Sequence, residues 1–234
     1  MDPARLFIEG AIARGGDAGK ASTTYRYRLL VPEKSGPQPL LLFLHGAGER
    51  AEDNRVQLAY LPEIMARPEM RRKFPAYVLA PQCPPGRSWS RRTWAAEVPP
   101  IPSDALPAMV DDIAGRHPVD RQRLYLTGLS MGGFGTWELA ARMPETWAAI
   151  VPICGGGDPG TAARVKDIPI WAFHGAEDKV VPPERSREMI EAVRRAGGRP
   201  RYSELAGVGH DSWTPAYGDP ALLEWLFSQE RRGS

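Results

Sequence analysis

Two cysteines are too few for a disulfide framework, and both Cys83 and Cys154 are expected as free thiols. No net charge of either sign dominates, with 30 basic residues against 28 acidic ones. A clustered basic field, the electrostatic footprint of nucleic-acid or acidic-membrane binding, is therefore not expected. No run of apolar residues approaches the ~18 needed to span a bilayer. The first residues carry Asp2, Arg5 and Glu9 and lack the unbroken apolar core of an export signal, so a cytoplasmic protein is expected. Lysine is scarce, 5 against 25 arginines, a bias set by composition rather than by any motif. Histidine is scarcer still, with four in the chain, and this narrows the search for a general base.

What is present is an alternation of short apolar runs with helical stretches. Segments 6–13 and 23–31 alternate at period two and read as a hairpin of half-buried strands. Segment 40–44 is continuously apolar, as a strand covered on both faces should be, and 77–80, 124–126, 150–153 and 170–173 repeat that character. Between them lie helix candidates at 55–70, 104–116, 132–142, 184–196 and 221–229. Ser103 and Asp104 are candidate caps for the second, and Gly197-Gly198 should stop the fourth. Strands followed repeatedly by helices predict a mostly parallel sheet with helices on both faces, in a single domain over 1–234. Ligands of such sheets bind beyond the carboxyl ends of the strands.

The chemistry gathers at those ends. Gly128-Leu129-Ser130-Met131-Gly132 follows one apolar run and opens a helix, the strand–nucleophile–helix context of the G-x-S-x-G elbow. Serine needs a base. His45 directly follows a strand, His117 precedes Pro118 and reads as exposed, and His174 ends a strand. His210 comes late, in the glycine-rich Gly207-Val208-Gly209-His210-Asp211, and leaves room for an acid between nucleophile and base. Asp178 is the leading acid, with Glu177 and Asp158 open as alternatives. For an oxyanion hole the expected donors are the N–H groups of Met131 and of Ala47, in His45-Gly46-Ala47-Gly48-Glu49, with Gly48 as fallback. His45 is expected to brace that loop. The turn-rich segment 84–100 carries Trp89, Arg91, Arg92 and Trp94. Trp89 and, three residues after His210, Trp213 are expected to line the substrate cleft, whereas Trp137 and Trp225 fall on helix faces. Histidine and cysteine lack zinc spacing, so neither metal nor cofactor is implied.

These motifs, together with Val181-Pro182 and Gly209-His210-Asp211-Ser212-Trp213, resemble small serine α/β-hydrolases. The nearest likeness is to feruloyl esterases, polyhydroxybutyrate-depolymerase-like esterases and prolyl-oligopeptidase-like peptidases. The resemblance implies a mixed sheet of about eight strands and a triad of Ser130, Asp178 and His210. It also implies a sheet order in which the strands ending at Cys83 and Cys154 are not neighbours. The stretch 155–167 leaves no room for a cap domain, so an open site is expected. The expected activity is hydrolysis of short-chain or aromatic (hydroxycinnamoyl-type) carboxylic esters through an acyl-enzyme. A peptidase acting on short peptides and an idle binding protein of the same fold are the alternatives. The expected partner is a small-molecule ester, and a homo-oligomer is compatible with the sequence.

Overall fold

Eight strands form one sheet in the computed structural model, which describes residues 3–14, 22–92 and 98–231. The strands are β1 (Phe7–Arg14), β2 (Thr23–Leu30), β3 (Gln38–Leu44), β4 (Tyr77–Pro81), β5 (Val119–Leu129), β6 (Ala149–Ile153), β7 (Trp171–Gly175) and β8 (Arg201–Leu205). Their order is β1-β2-β4-β3-β5-β6-β7-β8. β1, β2 and β4 pair antiparallel at one side, and from β4 through β3 to β8 every pairing is parallel. This is the α/β-hydrolase arrangement. β4 and β6 are separated by β3 and β5, and Cys83 and Cys154 are free, buried thiols.

The apolar run of β3 is wholly buried because each face of the sheet is covered. Leu40, Leu42 and Leu44 point to one side, into a core completed by α3 (Ala105–Arg116), α4 (Met131–Arg142), α5 (Ala162–Val165) and α6 (Glu184–Arg195). Leu41 and Phe43 point to the other, against α1 (Leu61–Met65), α7 (Trp213–Gly218) and α8 (Pro220–Phe227). The period-two alternation thus feeds two cores from one strand. Trp137 lies fully in the first, as its place on a helix face suggests. No helix among the described residues is long and apolar enough to cross a membrane.

Three expectations need correction. The helix over 55–70 is broken into a 3-10 turn at Val56–Leu58, α1, and α2 (Pro68–Lys73). Tyr60 enters the left-handed region at φ 66°, and Pro62 and Pro68 each permit a helix start but not its continuation through them. The side chains of Ser103 and Asp104 do not cap α3; Asp104 instead faces Arg14 on β1 at 3.4 Å. β8 carries no strand signal in sequence, because Arg-Tyr-Ser-Glu-Leu is an exposed edge with little apolar content. By contrast Gly197, at φ 93°, does end α6, and the Gly198 N–H returns to the Val193 carbonyl.

Burial on two faces makes a direct prediction. Leu42→Ala, at a fully buried position, should cost about 2–5 kcal/mol in urea unfolding. Ile8→Ala, at a position 51% exposed on edge strand β1, should stay within about 0.5 kcal/mol. Similar losses at both sites would refute this assignment of the core.

Candidate active site

The carboxyl ends of the parallel strands carry every motif singled out in the sequence. β5 runs into Ser130, whose backbone sits at φ 52°, ψ −117°, and α4 starts immediately after it. The flanking glycines are demanded by contact. A Cβ at Gly132 would strike the Leu44 carbonyl, and one at Gly128 would strike the Gly132 carbonyl. The turn is held from the far side by the Ser130 N–H, which donates to the Ile153 carbonyl of β6 at 2.9 Å.

The structure brings Ser130, His210 and Asp178 into one hydrogen-bonded chain. His210 Nε2 lies 3.0 Å from Ser130 Oγ, and His210 Nδ1 lies 2.7 Å from Asp178 Oδ2. The other oxygen, Oδ1, accepts the N–H groups of Val180 and Val181 at 2.8 and 2.9 Å. Glu177 is exposed, and Asp158 faces Arg92 at 3.2 Å, so neither shares the position of Asp178. The loop carrying His210 packs onto the end of β7. Ala176 N–H reaches the Leu205 carbonyl, Glu177 N–H reaches the Val208 carbonyl, and a Cβ at Gly175 would strike the Gly209 carbonyl.

Two further histidines work inside this frame, and both are buried. His174 Nε2 donates to the Val181 carbonyl at 2.9 Å and lies 3.2 Å from Asp178 Oδ2, while Nδ1 faces Ser186 Oγ at 2.7 Å. Burial pushes its pKa down, leaving a neutral ring that steadies the Asp178 carboxylate. The sequence offered a signal for this, a histidine four residues before the acid at a strand end, but not the partner on α6. His45 braces its loop: Nδ1–H donates to the Gly46 carbonyl at 2.6 Å, and Nε2 accepts the Cys83 N–H at 2.9 Å. Burial holds its pKa at about 4.

Ala47 opens a 3-10 turn and Met131 opens α4, so each N–H belongs to a helix start, where donors have no intrahelical partner. The two segments are neighbours, since the Cβ position of Gly46 lies 3.7 Å from Ser130 Cβ. Trp213 is half-buried and edge-on to His210 at 5.3 Å, with Tyr60 edge-on to it in turn at 5.6 Å. Trp89 is a correction. It is 5% exposed, its indole N–H donates to the His45 carbonyl at 2.9 Å, and its ring packs edge-on to His45. Its ring is largely taken up in bracing the loop, and the little it exposes lines a hollow with Leu139 and Arg142, away from Ser130. Trp94 lies outside the described residues. Cys154, next to Ser130 across β5 and β6, has its thiol within 4.8 Å of both Asp178 and His210. Burial pushes that thiol up to about 12, so it is protonated at neutral pH and is neither thiolate nucleophile nor ready metal ligand.

The His45 brace predicts an acid sensitivity. Well above pH 6.5 the ring is neutral folded or unfolded and contributes no slope. Between 6.5 and about 4 the unfolded chain takes up a proton that the folded ring refuses, so stability falls with pH, by up to about 3 kcal/mol. His174 acts in the same direction. Urea unfolding at pH 7 and pH 4.5 should show the loss, and His45→Gln should shrink the difference between the two. An unchanged difference in the variant would remove the brace from the account.

A family model for the dienelactone hydrolase family matches residues 87–213, just over half of the chain. Poly(3-hydroxyalkanoate) depolymerase C of Paucimonas lemoignei is 27% identical over 166 residues, covering 56% of this chain and 40% of that protein. Feruloyl esterase B of Thermothelomyces thermophilus is 26% identical over 158 residues, covering 52% and 54%. The chain thus spans about half or less of the length of these curated relatives. A thermostable esterase of known crystal structure superposes with a TM-score of 0.88 at 38% identity, over 98% of this chain and 64% of that one. The chain belongs to the dienelactone hydrolase family.

Proposed function

We propose that the protein is a serine carboxylesterase that hydrolyses short-chain or aromatic esters through an acyl-enzyme. The observation that carries this reading is the unbroken chain from Ser130 Oγ through the His210 ring to Asp178, with contacts of 3.0 and 2.7 Å. Ser130 Oγ attacks the ester carbonyl carbon as His210 Nε2 takes its proton. The Met131 and Ala47 N–H groups receive the negative charge that develops on the carbonyl oxygen. Collapse expels the alcohol, protonated by His210, and water then attacks the acyl-enzyme by the same route. Asp178 fixes the His210 tautomer with a proton on Nδ1 and stabilises the imidazolium.

Three observations support this substrate class. Trp213 offers a partly exposed indole edge-on to the base, suited to packing against an acyl or aryl group. The connection from β6 to β7 holds one 3-10 turn and the four-residue α5, with no inserted cap, so the ester enters from an open side. The printed names of the relatives include a feruloyl esterase and a polyester depolymerase.

p-Nitrophenyl acetate and methyl ferulate provide the test. Ser130→Ala should lose on the order of 10⁴-fold or more in kcat, with folding unchanged by circular dichroism. Asp178→Asn should fall by roughly 10⁴-fold, since an amide allows the wrong His210 tautomer. Wild-type turnover of neither ester, or turnover by Ser130→Ala comparable to wild type, would overturn the assignment.

A further inference from the structure

A groove of about 350 Å³ runs along α4 from its first turn toward its last, bounded by Phe134, Glu138 and Arg142 on the helix. Asp158 and Arg164 close it from the β6–β7 connection, and Arg92 from the segment after β4. A second hollow of about 270 Å³ continues it past Glu138 and Arg142. The first hollow alone has the volume of a small ligand site. Ser130 does not line either hollow, yet the groove begins one helical turn from it.

Four arginines and two carboxylates line the first hollow. Asp158 pairs with Arg92 at 3.2 Å, whereas Glu138 accepts only the backbone N–H of Arg91, at 2.7 Å, and keeps its charge. Among the described residues Arg142 and Arg164 have no ion-pair or hydrogen-bond partner. They come from different elements, the last turn of α4 and α5, and converge on one concave surface. Four guanidinium groups against two carboxylates leave the lining net positive, and the planar donor forks of Arg142 and Arg164 match carboxylate or phosphate oxygens.

We infer that this groove is a subsite for an anionic arm of the substrate, a carboxylate- or phosphate-bearing chain anchored by Arg142 and Arg164 while its ester reaches Ser130. This extends the esterase reading and depends on it only for the reacting group. At ~1.5 Å rise per residue, the twelve positions from Ser130 to Arg142 separate their backbones by roughly 18 Å along the helix. The arm is therefore longer than an acetyl or a single cinnamoyl group. Such an anchor improves substrate capture without touching the reacting carbonyl.

Isothermal titration with trigalacturonate, tripolyphosphate and neutral maltotriose tests the subsite directly. Wild type and Ser130→Ala should bind at least one anionic probe saturably, more weakly as salt rises, and should not bind maltotriose. Binding of trigalacturonate alone identifies a carboxylate arm, and of tripolyphosphate alone a phosphate arm; either supports the subsite. Arg142→Gln combined with Arg164→Gln should weaken that binding roughly tenfold or more. The same variant should hydrolyse p-nitrophenyl acetate within about twofold of wild type, because that ester is too short to reach the groove. Equal binding by variant and wild type, or no saturable binding of either anion, would overturn the subsite. A wild type that binds the probe yet hydrolyses no ester would leave the groove standing and remove the esterase reading.

Discussion

The near-contact between the start of α4 and the end of β3 is the constraint on which the site depends. Gly132 rides against the Leu44 carbonyl so closely that no side chain fits between them. That approach fixes where α4 leaves the sheet, and hence where the Ser130 hydroxyl projects. It also brings the Gly46–Glu49 loop alongside, because that loop begins one residue past Leu44. The helix start and the loop start are thereby set against the same hydroxyl by a single backbone contact. Any residue larger than glycine would move both at once, and the loss would be geometric before it was chemical.

The polar parts of the frame are held by groups kept neutral through burial. His45 ties its own loop to the end of β4 through the Cys83 N–H, and Trp89 closes the same knot by donating to the His45 carbonyl. His174 joins Asp178 to Ser186 on α6. A charged imidazolium at either place would lack an acceptor for its second N–H or would carry an unsolvated charge, and desolvation therefore favours the neutral ring. Of the three histidines at the site, His210, which must change charge in the proposed reaction, is the one left partly exposed, at the end of a loop.

The legible part of this molecule was whatever steric necessity writes as residue type. Glycine at 128 and 132, an unbroken apolar run over 40–44 and proline or glycine at element ends each reflect a contact that tolerates little else. The mostly parallel sheet followed from them, and its order came with the resemblance to small serine α/β-hydrolases. The positions of His210 and Asp178 beside Ser130 were suggested by chain order and by glycine-rich loops, although their distances are properties of the folded chain alone. What escaped was fixed by long-range partners. β8 has no apolar signature because β7 supplies its hydrogen bonds on one side and water its surroundings on the other. The broken helix at 55–73 is decided by prolines that could equally have begun a longer helix. Trp89 looked available in sequence because nothing local reveals that the His45 carbonyl will claim its N–H.

Backbone strain has a pattern that joins these observations. Ser130 and Cys154 are both non-glycine residues at positive φ, 52° and 38°, and they follow paired residues, Leu129 and Ile153, on adjacent strands. Each sits one step past the end of its strand, yet each N–H still reaches the next strand's carbonyl, Ser130 to Ile153 and Cys154 to Phe173. The ladder is thus extended by one rung at the point where both chains turn away. A residue forced into this region costs about 1–3 kcal/mol, and a buried backbone hydrogen bond offsets part of it. The strain persists because the glycines around it, Gly132, Gly133 and Gly155, let α4 and the β6 loop close over the turn without side chains in the way.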